Sequence, residues 1–212
     1  MKRKTLIVAV AVCLVAILAL GSLALFTDTD DITNKFMVAS SDDPDQEIFD
    51  VDVWETDPNG EKTDEGIVYD DIQPADVLKK DPTVENTGLY DQYVRVMVTV
   101  TNAKNWMTAC DKYGIADLTT IFGGFDGTKW TRVDAPVYDL ANDTLTYTFY
   151  YNGVLAPKET ATLFTTVTIP QAFTVEDMVA LQQFELSVSA QAIQSANTGD
   201  NAVDAFANYW GK

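Results

Sequence analysis

The chain has 212 residues with a formal net charge of −18, and it contains 32 acidic residues, 14 basic residues and no histidine. A surface this acidic repels nucleic acid and anionic lipid, so we expect no nucleic-acid partner and contact with a membrane only through the N-terminal segment. The lack of histidine removes most zinc chemistry and the usual base that activates a serine or cysteine nucleophile. We therefore expect a protein that is not an enzyme.

The N-terminus has the order of a secretory signal. Three basic residues precede an uncharged, mostly apolar run over residues 5–26, and acidic residues follow it. Ser22 and Ala24 are spaced as the −3 and −1 positions before a cleavage site, so residues 1–24 are predicted to be a signal peptide and the mature chain to begin near Leu25. The run could also cross a hydrocarbon core of about 30 Å, so an uncleaved anchor is the alternative. Both interpretations, a cleaved signal and an uncleaved anchor, predict that the protein is exported to the extracellular matrix or the cell surface.

The number of cysteines limits the disulfide bonds that the chain can form. A cleaved chain would keep only Cys110, so we expect no disulfide within the mature domain and a stability that comes from packing. Free cysteines are commonly small buried hydrophobic residues, which is the interpretation we favour for Cys110. A bridge to a second chain is the alternative.

Residues 25–41 form an N-terminal segment that is separated by a polar break from a domain over residues 42–212. Phe36 and Val38 share one face if this segment is extended, because strand side chains alternate. Acidic residues in and after the segment could bind calcium, but they lack the fixed spacing of an EF-hand, so solvated acidic surface is the preferred interpretation. These residues are Asp28, Asp30, Asp31, Asp42, Asp43 and Asp45.

The domain reads as a series of strands. Alternating or β-branched stretches predict strands at residues 48–54, 67–72, 93–101, 144–151, 160–169 and 184–193, with a short strand before the turn at residues 86–88. Residues 57–60 and 125–130 predict turns, the second within a hairpin. Residues 106–122 are predicted to be helical or irregular, and short helices are predicted at residues 175–182 and 201–210. This pattern predicts an all-β antiparallel jelly-roll β-sandwich with a few short helices.

Several segments, in this order, resemble the TasA/camelysin family of exported proteins of Gram-positive bacteria. They are Phe26-Thr27-Asp28 after the signal, Asn34-Lys35-Phe36, Asp81-Pro82-Thr83-Val84-Glu85-Asn86-Thr87-Gly88, Tyr93-Val94-Arg95-Val96 and Ala190-Gln191-Ala192-Ile193-Gln194. The resemblance implies a signal cut by a SipW-type signal peptidase and a jelly-roll subunit of biofilm matrix fibres. In such fibres the N-terminal segment of one subunit adds as a strand to the next subunit.

The candidate donor strand here carries Phe26, Ile32, Phe36 and Val38. An extended peptide can satisfy the unpaired backbone of a sheet edge, and a head-to-tail contact of this kind grows a homopolymer. Pairing of this segment within its own domain, or a flexible tail, are the alternatives. The peptidase activity described for camelysin does not transfer, because a zincin needs two histidines.

The sequence is also compatible with a second class of function, that of a binding protein. The protein could be a calcium- or carbohydrate-binding module at the cell surface, monomeric and tethered to the membrane. Tyr147, Phe149 and Tyr151 lie on one face of a predicted strand and could form a platform for a sugar, although a sandwich core is the preferred interpretation. Arg95, on the solvent-facing side of its predicted strand, could pair with an acidic residue across the sheet, and a structural role is the preferred interpretation.

Overall fold

A computed structural model describes residues 27–29, 47–181 and 184–210. The strands, numbered in chain order, are β1 Thr27–Thr29, β2 Val51–Thr56, β3 Lys62–Thr63, β4 Val77–Lys79, β5 Thr83–Asn86, β6 Gln92–Thr101, β7 Phe122–Gly123, β8 Trp130–Thr131, β9 Val137–Asp139, β10 Thr144–Tyr151, β11 Thr160–Thr162, β12 Thr166–Thr168 and β13 Leu186–Gln194. The helices are α1 Ala103–Tyr113, α2 Val175–Ala180 and α3 Ala202–Trp210, with a 3-10 helix at Leu118–Ile121.

The described strands form three antiparallel sheets. The main sheet has the order β1-β13-β6-β10-β8, and β9 also pairs with β10. A second sheet has the order β11-β5-β2-β3, and a third has the order β4-β12-β7. The expectation of an all-β sandwich with a few short helices is thereby confirmed, whereas the jelly-roll connectivity stays a prediction.

The hydrophobic core lies between the main sheet and the two smaller sheets. Alternate residues of β6 point into it, and Val94, Val96, Val98 and Val100 are each at most 2 % exposed. On the opposite face Arg95, Met97, Thr99 and Thr101 are partly exposed, as the alternation of the sequence predicts. Burial of each such side chain contributes about 1.5–3 kcal/mol, so this strand is a main source of stability in a fold that has no disulfide among its described residues.

Helix α1 closes one end of this core. It inserts Trp106, whose ring meets that of Phe184 edge-on at 4.9 Å between centroids. Cys110 lies on the same helix and is 5 % exposed, so its predicted burial is confirmed. Burial, and to a lesser extent nearby acidic groups, raises the pKa of the Cys110 thiol to about 11.

Asp177 ties α1 to α2. Its carboxylate accepts hydrogen bonds from the backbone N–H of Thr174 at 2.9 Å, from the Tyr113 hydroxyl at 2.7 Å and from Lys112 Nζ at 2.9 Å. Thr174 Oγ1 in turn accepts from Asp177 N, which completes the capping box expected from the sequence. The Thr174 amide, the Tyr113 hydroxyl and the Lys112 ammonium hold the pKa of this carboxyl well below its usual range.

Helix α3, which the sequence predicted at residues 201–210, covers part of the opposite face of the main sheet. Ala202, Ala205 and Phe206 are each at most 2 % exposed. They form a second apolar cluster with three residues of the sheet, which are Tyr93, Tyr150 and Ile193. The main sheet is therefore buried on one face by the sandwich core and on part of the other by α3.

The strand predicted at residues 67–72 is wrong. Asp71 has a φ of 54°, a left-handed conformation that interrupts an extended strand, and Val68 is 82 % exposed. The edge strand of this region is instead β4, which follows the turn at residues 74–75 and pairs with β12.

The strand predicted at residues 160–169 is two strands that belong to different sheets. β11 pairs with β5, whereas β12 pairs with β4 and β7. Between them, the Leu163 amide donates to Pro82 O and the Thr165 amide donates to Gly123 O, so the chain passes from one sheet to the next. Residues 160–169 are a continuous run of residues that favour strands, so the sequence does not indicate where the strand partner changes.

The turn predicted at residues 125–130 is present but does not make a hairpin. Asp126 accepts hydrogen bonds from the backbone of Thr128 and Lys129, as an aspartate turn does. The flanking strands then diverge, because β7 pairs with β12 and β8 pairs with β10.

Candidate functional site

The N-terminal segment enters the main sheet at its edge. β1 pairs antiparallel with β13 in a register that sets Thr27 opposite Ile193, Asp28 opposite Ala192 and Thr29 opposite Gln191. Residues 27–29 are therefore paired within their own chain. This pairing gives the candidate site its location, which is the outer edge of β13.

Within the part of the chain that the structure describes, the two sides of β13 differ in their pairing. One side pairs with β6 over the whole of Leu186–Gln194, and on the outer side the described residues of β1 pair with residues 191–193. Among the described residues, no strand pairs with the outer side of residues 186–190. Such a stretch presents unpaired N–H and C=O groups, which are a template for another strand. Leu186 and Val188 are partly buried against the core along this stretch.

Arg95 lies next to this edge, and no acid among residues 27–29, 47–181 and 184–210 forms an ion pair with it. Its Nε donates to Gln191 Oε1 at 2.7 Å, and its guanidinium lies 4.5 Å from the ring centre of Phe206 and 5.1 Å from that of Trp210. The described surroundings of Arg95 are of a different kind, because its register neighbour on β13 is an amide and α3 supplies aromatic rings. Arg95 joins β6, β13 and α3.

A buried amide fixes the loop that leads into β6. Asn86 is fully buried, and its Nδ2 donates at 2.8 Å both to Tyr90 O and to Leu155 O. Its Oδ1 accepts from the Gly88 amide at 3.0 Å. The segment at residues 81–88, which carries part of the family resemblance, is therefore a strand followed by a turn held from within the protein.

Glycine is required at this turn. A Cβ on Gly88 would lie 2.9 Å from Asp50 N and 3.0 Å from Ile48 O, which are backbone atoms that cannot move aside on their own. Gly88 N and Leu89 N donate to Asp50 O and Ile48 O, so residues 48–50 bend over the turn and β2 begins only at Val51. The strand predicted at residues 48–54 consequently starts three residues late.

Of the residues predicted for the site, the structure places Asp28 in β1, opposite Ala192. The other predicted residues lie outside the described residues. They are Ser22, Ala24, Leu25, Phe26, Asp30, Asp31, Ile32, Phe36, Val38, Asp42, Asp43 and Asp45.

Two features bear on the alternative functions. Tyr147 and Phe149 are each 2 % exposed and belong to the core, so the proposed aromatic platform offers no such surface to a sugar. Within residues 27–29, 47–181 and 184–210, no three acidic or cysteine side chains are grouped so that they could hold a metal ion. None of the described helices has the length and apolar character needed to span a bilayer.

The sequence did not reveal the roles of Gln191 and Asn86. Gln191 lies in a predicted strand and inside a segment that carries the family resemblance, yet its contact with Arg95 depends on the register of two strands far apart in the chain. The sequence indicates Asn86 only as a turn residue. A polar residue at a turn that is followed closely by glycine is the one signal that points to it.

Comparisons of this chain with family models, with curated proteins and with solved structures gave no match.

Proposed function

We propose that this protein is an exported structural subunit of extracellular fibres, in which the N-terminal strand of one subunit pairs with β13 of the next. Its signal would be cut by a SipW-type signal peptidase, and its partner in the fibre is a second copy of the same chain. The observation that carries the proposal is the outer edge of β13, which β1 covers at residues 191–193 while residues 186–190 have no strand partner among the described residues.

The register of β1 supports a longer strand on this edge. If an N-terminal strand kept that register, residue 30 would lie opposite Ala190 and residue 32 opposite Val188, both of which belong to or pack against the core. Strand side chains alternate, so all even-numbered positions would share this face. The four candidate donor residues, Phe26, Ile32, Phe36 and Val38, are all at even positions, which they share with Asp28 and Asp30, whereas Leu25, Met37 and Ala39 are at odd positions.

The identity of the copies supports exchange between subunits. Within the described residues three register pairs join β1 to β13, and a backbone hydrogen bond contributes about 0.5–1.5 kcal/mol net. A neighbouring subunit carries an identical segment, so it can restore the same bonds and extend along residues 186–190. Each exchange leaves the displaced segment free to pair with a further copy, which makes the contact head-to-tail and open-ended.

The first experiment compares a chain that begins at Leu25 with one that begins at Ser40. Electron microscopy and sedimentation should show filaments for the longer chain and monomers for the shorter one. A peptide of residues 25–39 should bind the shorter chain, and a scrambled peptide of the same composition should not. Filaments from the chain that begins at Ser40 would rule out the N-terminal strand as the link.

A second experiment locks β1 onto its own subunit. Asp28→Cys combined with Ala192→Cys places two thiols at a register pair, where antiparallel Cα atoms are about 4.5–5.5 Å apart and a disulfide can form. The oxidised monomer should stay monomeric and should polymerise after addition of a reductant, whereas each single variant should polymerise in both conditions. Equal filament yield from the locked and the reduced protein would contradict strand exchange.

A further inference from the structure

The chain contains two Asn-Gly pairs, Asn59-Gly60 and Asn152-Gly153. An asparagine followed by glycine is the sequence most open to spontaneous deamidation, because glycine has no side chain to hinder the approach of its nitrogen to the asparagine side chain. Both pairs lie at the surface and outside the strands, so water reaches them. They differ in the contacts that hold the asparagine side chain.

Asn59 lies in the turn that joins β2 to β3. The turn is closed by the Asp57 amide, which donates to Glu61 O at 2.8 Å. The Asn59 side chain has one hydrogen bond among the described residues, from Nδ2 to Asp57 Oδ2 at 3.1 Å. The Gly60 amide donates to Asp57 O at 3.0 Å. Both partners belong to the turn itself, so a local opening at this edge of the second sheet frees the side chain and the Gly60 nitrogen together.

Asn152 is held by a separate segment of the chain. Its Nδ2 donates to Thr128 O at 3.0 Å, and its Oδ1 accepts from Thr131 Oγ1 at 2.5 Å. Its backbone amide donates to Lys129 O at 2.8 Å. Because both ends of the side-chain amide are bound, its Cγ cannot turn toward the Gly153 nitrogen unless β8 and the turn before it separate from β10.

We propose that Asn59 is a site of spontaneous deamidation in the folded protein and that its contacts protect Asn152 from the same reaction. The Gly60 nitrogen attacks Cγ of Asn59, the Cγ–Nδ2 bond breaks, and the side-chain nitrogen leaves as ammonia with the proton that Gly60 loses. A five-membered succinimide ring results. Water is the only other reactant: it opens the ring at Cγ to leave aspartate, or at the main-chain carbonyl carbon to leave isoaspartate. Nothing is oxidised or reduced in either step.

The product alters the hairpin of β2 and β3. Both forms replace the Nδ2 donor by a carboxylate, so a second negative charge stands where a donor met the carboxylate of Asp57. Isoaspartate also lengthens the main chain by one methylene, within the short turn that sets Thr56 opposite Lys62. β3 should therefore pair less firmly with β2. Lys62, whose Nζ forms an ion pair with Glu85 at 2.7 Å, should then be cleaved more readily by trypsin.

The test incubates the purified protein at mildly alkaline pH, in buffer and in urea, and follows both asparagines by peptide mass spectrometry. Deamidation adds about 1 Da to a peptide, because an amide NH₂ becomes OH. In buffer Asn59 should convert at least about tenfold faster than Asn152, which must first break two side-chain hydrogen bonds to another segment. In urea the two rates should be similar, because glycine follows both residues. Equal rates in buffer, or an unchanged Asn59, would overturn the inference.

Variants test the two contacts separately. Thr131→Val removes the hydroxyl that donates to Asn152 and should speed the conversion of Asn152 in buffer, whereas Thr108→Val, at an exposed threonine of α1, should leave it unchanged. Equal conversion of Asn152 in these two variants would contradict its protection by β8. Asn59→Gln should abolish both the mass change and the faster trypsin cleavage after Lys62 that the incubated wild type shows. Equal cleavage of fresh and incubated wild type would contradict the effect on the hairpin.

Discussion

Arg95 Nε donates a hydrogen bond to Gln191 Oε1 over 2.7 Å, which joins β6 to β13 next to the edge of the main sheet. Thr29 of β1 is the register neighbour of Gln191 on its other side. The guanidinium of Arg95 also lies over Phe206 and Trp210 of α3. Arg95 therefore contacts both β13, at the edge of the main sheet, and α3.

Arg95→Lys should destabilise the protein by about 1 kcal/mol. An ammonium group keeps the charge but loses the planar stacking on the aromatic rings and the fixed direction of the Nε hydrogen bond. Urea unfolding followed by circular dichroism measures the change. In a cycle with Trp210→Ala, the two effects should fall short of additivity by about 0.5 kcal/mol, because the residues are in contact. Strict additivity would show that the stacking contributes nothing.

Gly88→Ala should cost about 1–3 kcal/mol of unfolding free energy, because the added methyl group meets backbone atoms of residues 48–50 at about 3 Å. Gly66→Ala is a matched control, since a Cβ there has nothing within 4 Å and should change stability by less than about 0.5 kcal/mol. Both variants are compared by urea unfolding. Equal stability of the two alanine variants would mean that the turn can shift to make room.

Asp177→Asn should lower the melting temperature at pH 7 more than at pH 2. The pKa of Asp177 is lowered in the folded state, so the stability linked to it is present above the unfolded pKa of about 4 and is lost as the pH falls below that value. Glu176→Gln is the control, because Glu176 lies in the same first helical turn and makes no hydrogen bond to α1. A melting-temperature difference that is constant from pH 7 to pH 2 would argue against the ionised carboxylate as the link between the two helices.

Cys110 should react with thiol reagents only after unfolding. With a pKa of about 11, roughly one thiol in a thousand is ionised at pH 8, and the residue is buried. In the chain that begins at Leu25, dithionitrobenzoate should label no thiol within minutes in buffer and one thiol in urea. Fast labelling of the native protein, or a disulfide-linked dimer on a non-reducing gel, would instead support the alternative of a bridge between chains.

The parts of the fold that depend on local pattern were predictable. The four valines of β6 and the helix at residues 202–210 follow from periodicity, because a buried face repeats at fixed spacing within one segment. The capping box at Thr174 is equally local. These elements need no knowledge of their partners.

The sequence did not predict which strands pair with one another. The run at residues 160–169 joins two sheets, and residues 125–130 separate two strands instead of pairing them, because both outcomes are decided by distant segments. The same holds for the site. The sequence marked residues 25–41 as an interaction segment, but only the pairing of β1 indicates which strand edge lies beside it. Arg95 contacts an amide and two rings for the same reason.

The direction of β1 on β13 bears on how a filament of such subunits would carry load. The hydrogen bonds of an antiparallel pair lie across the strands, so tension along the N-terminal segment stretches the bonds of β1 together in shear and does not peel them one by one. From β13 the force passes through its full-length pairing with β6 into the centre of the main sheet. The mechanical strength of each joint would then increase with the number of residues that the incoming strand pairs along residues 186–193.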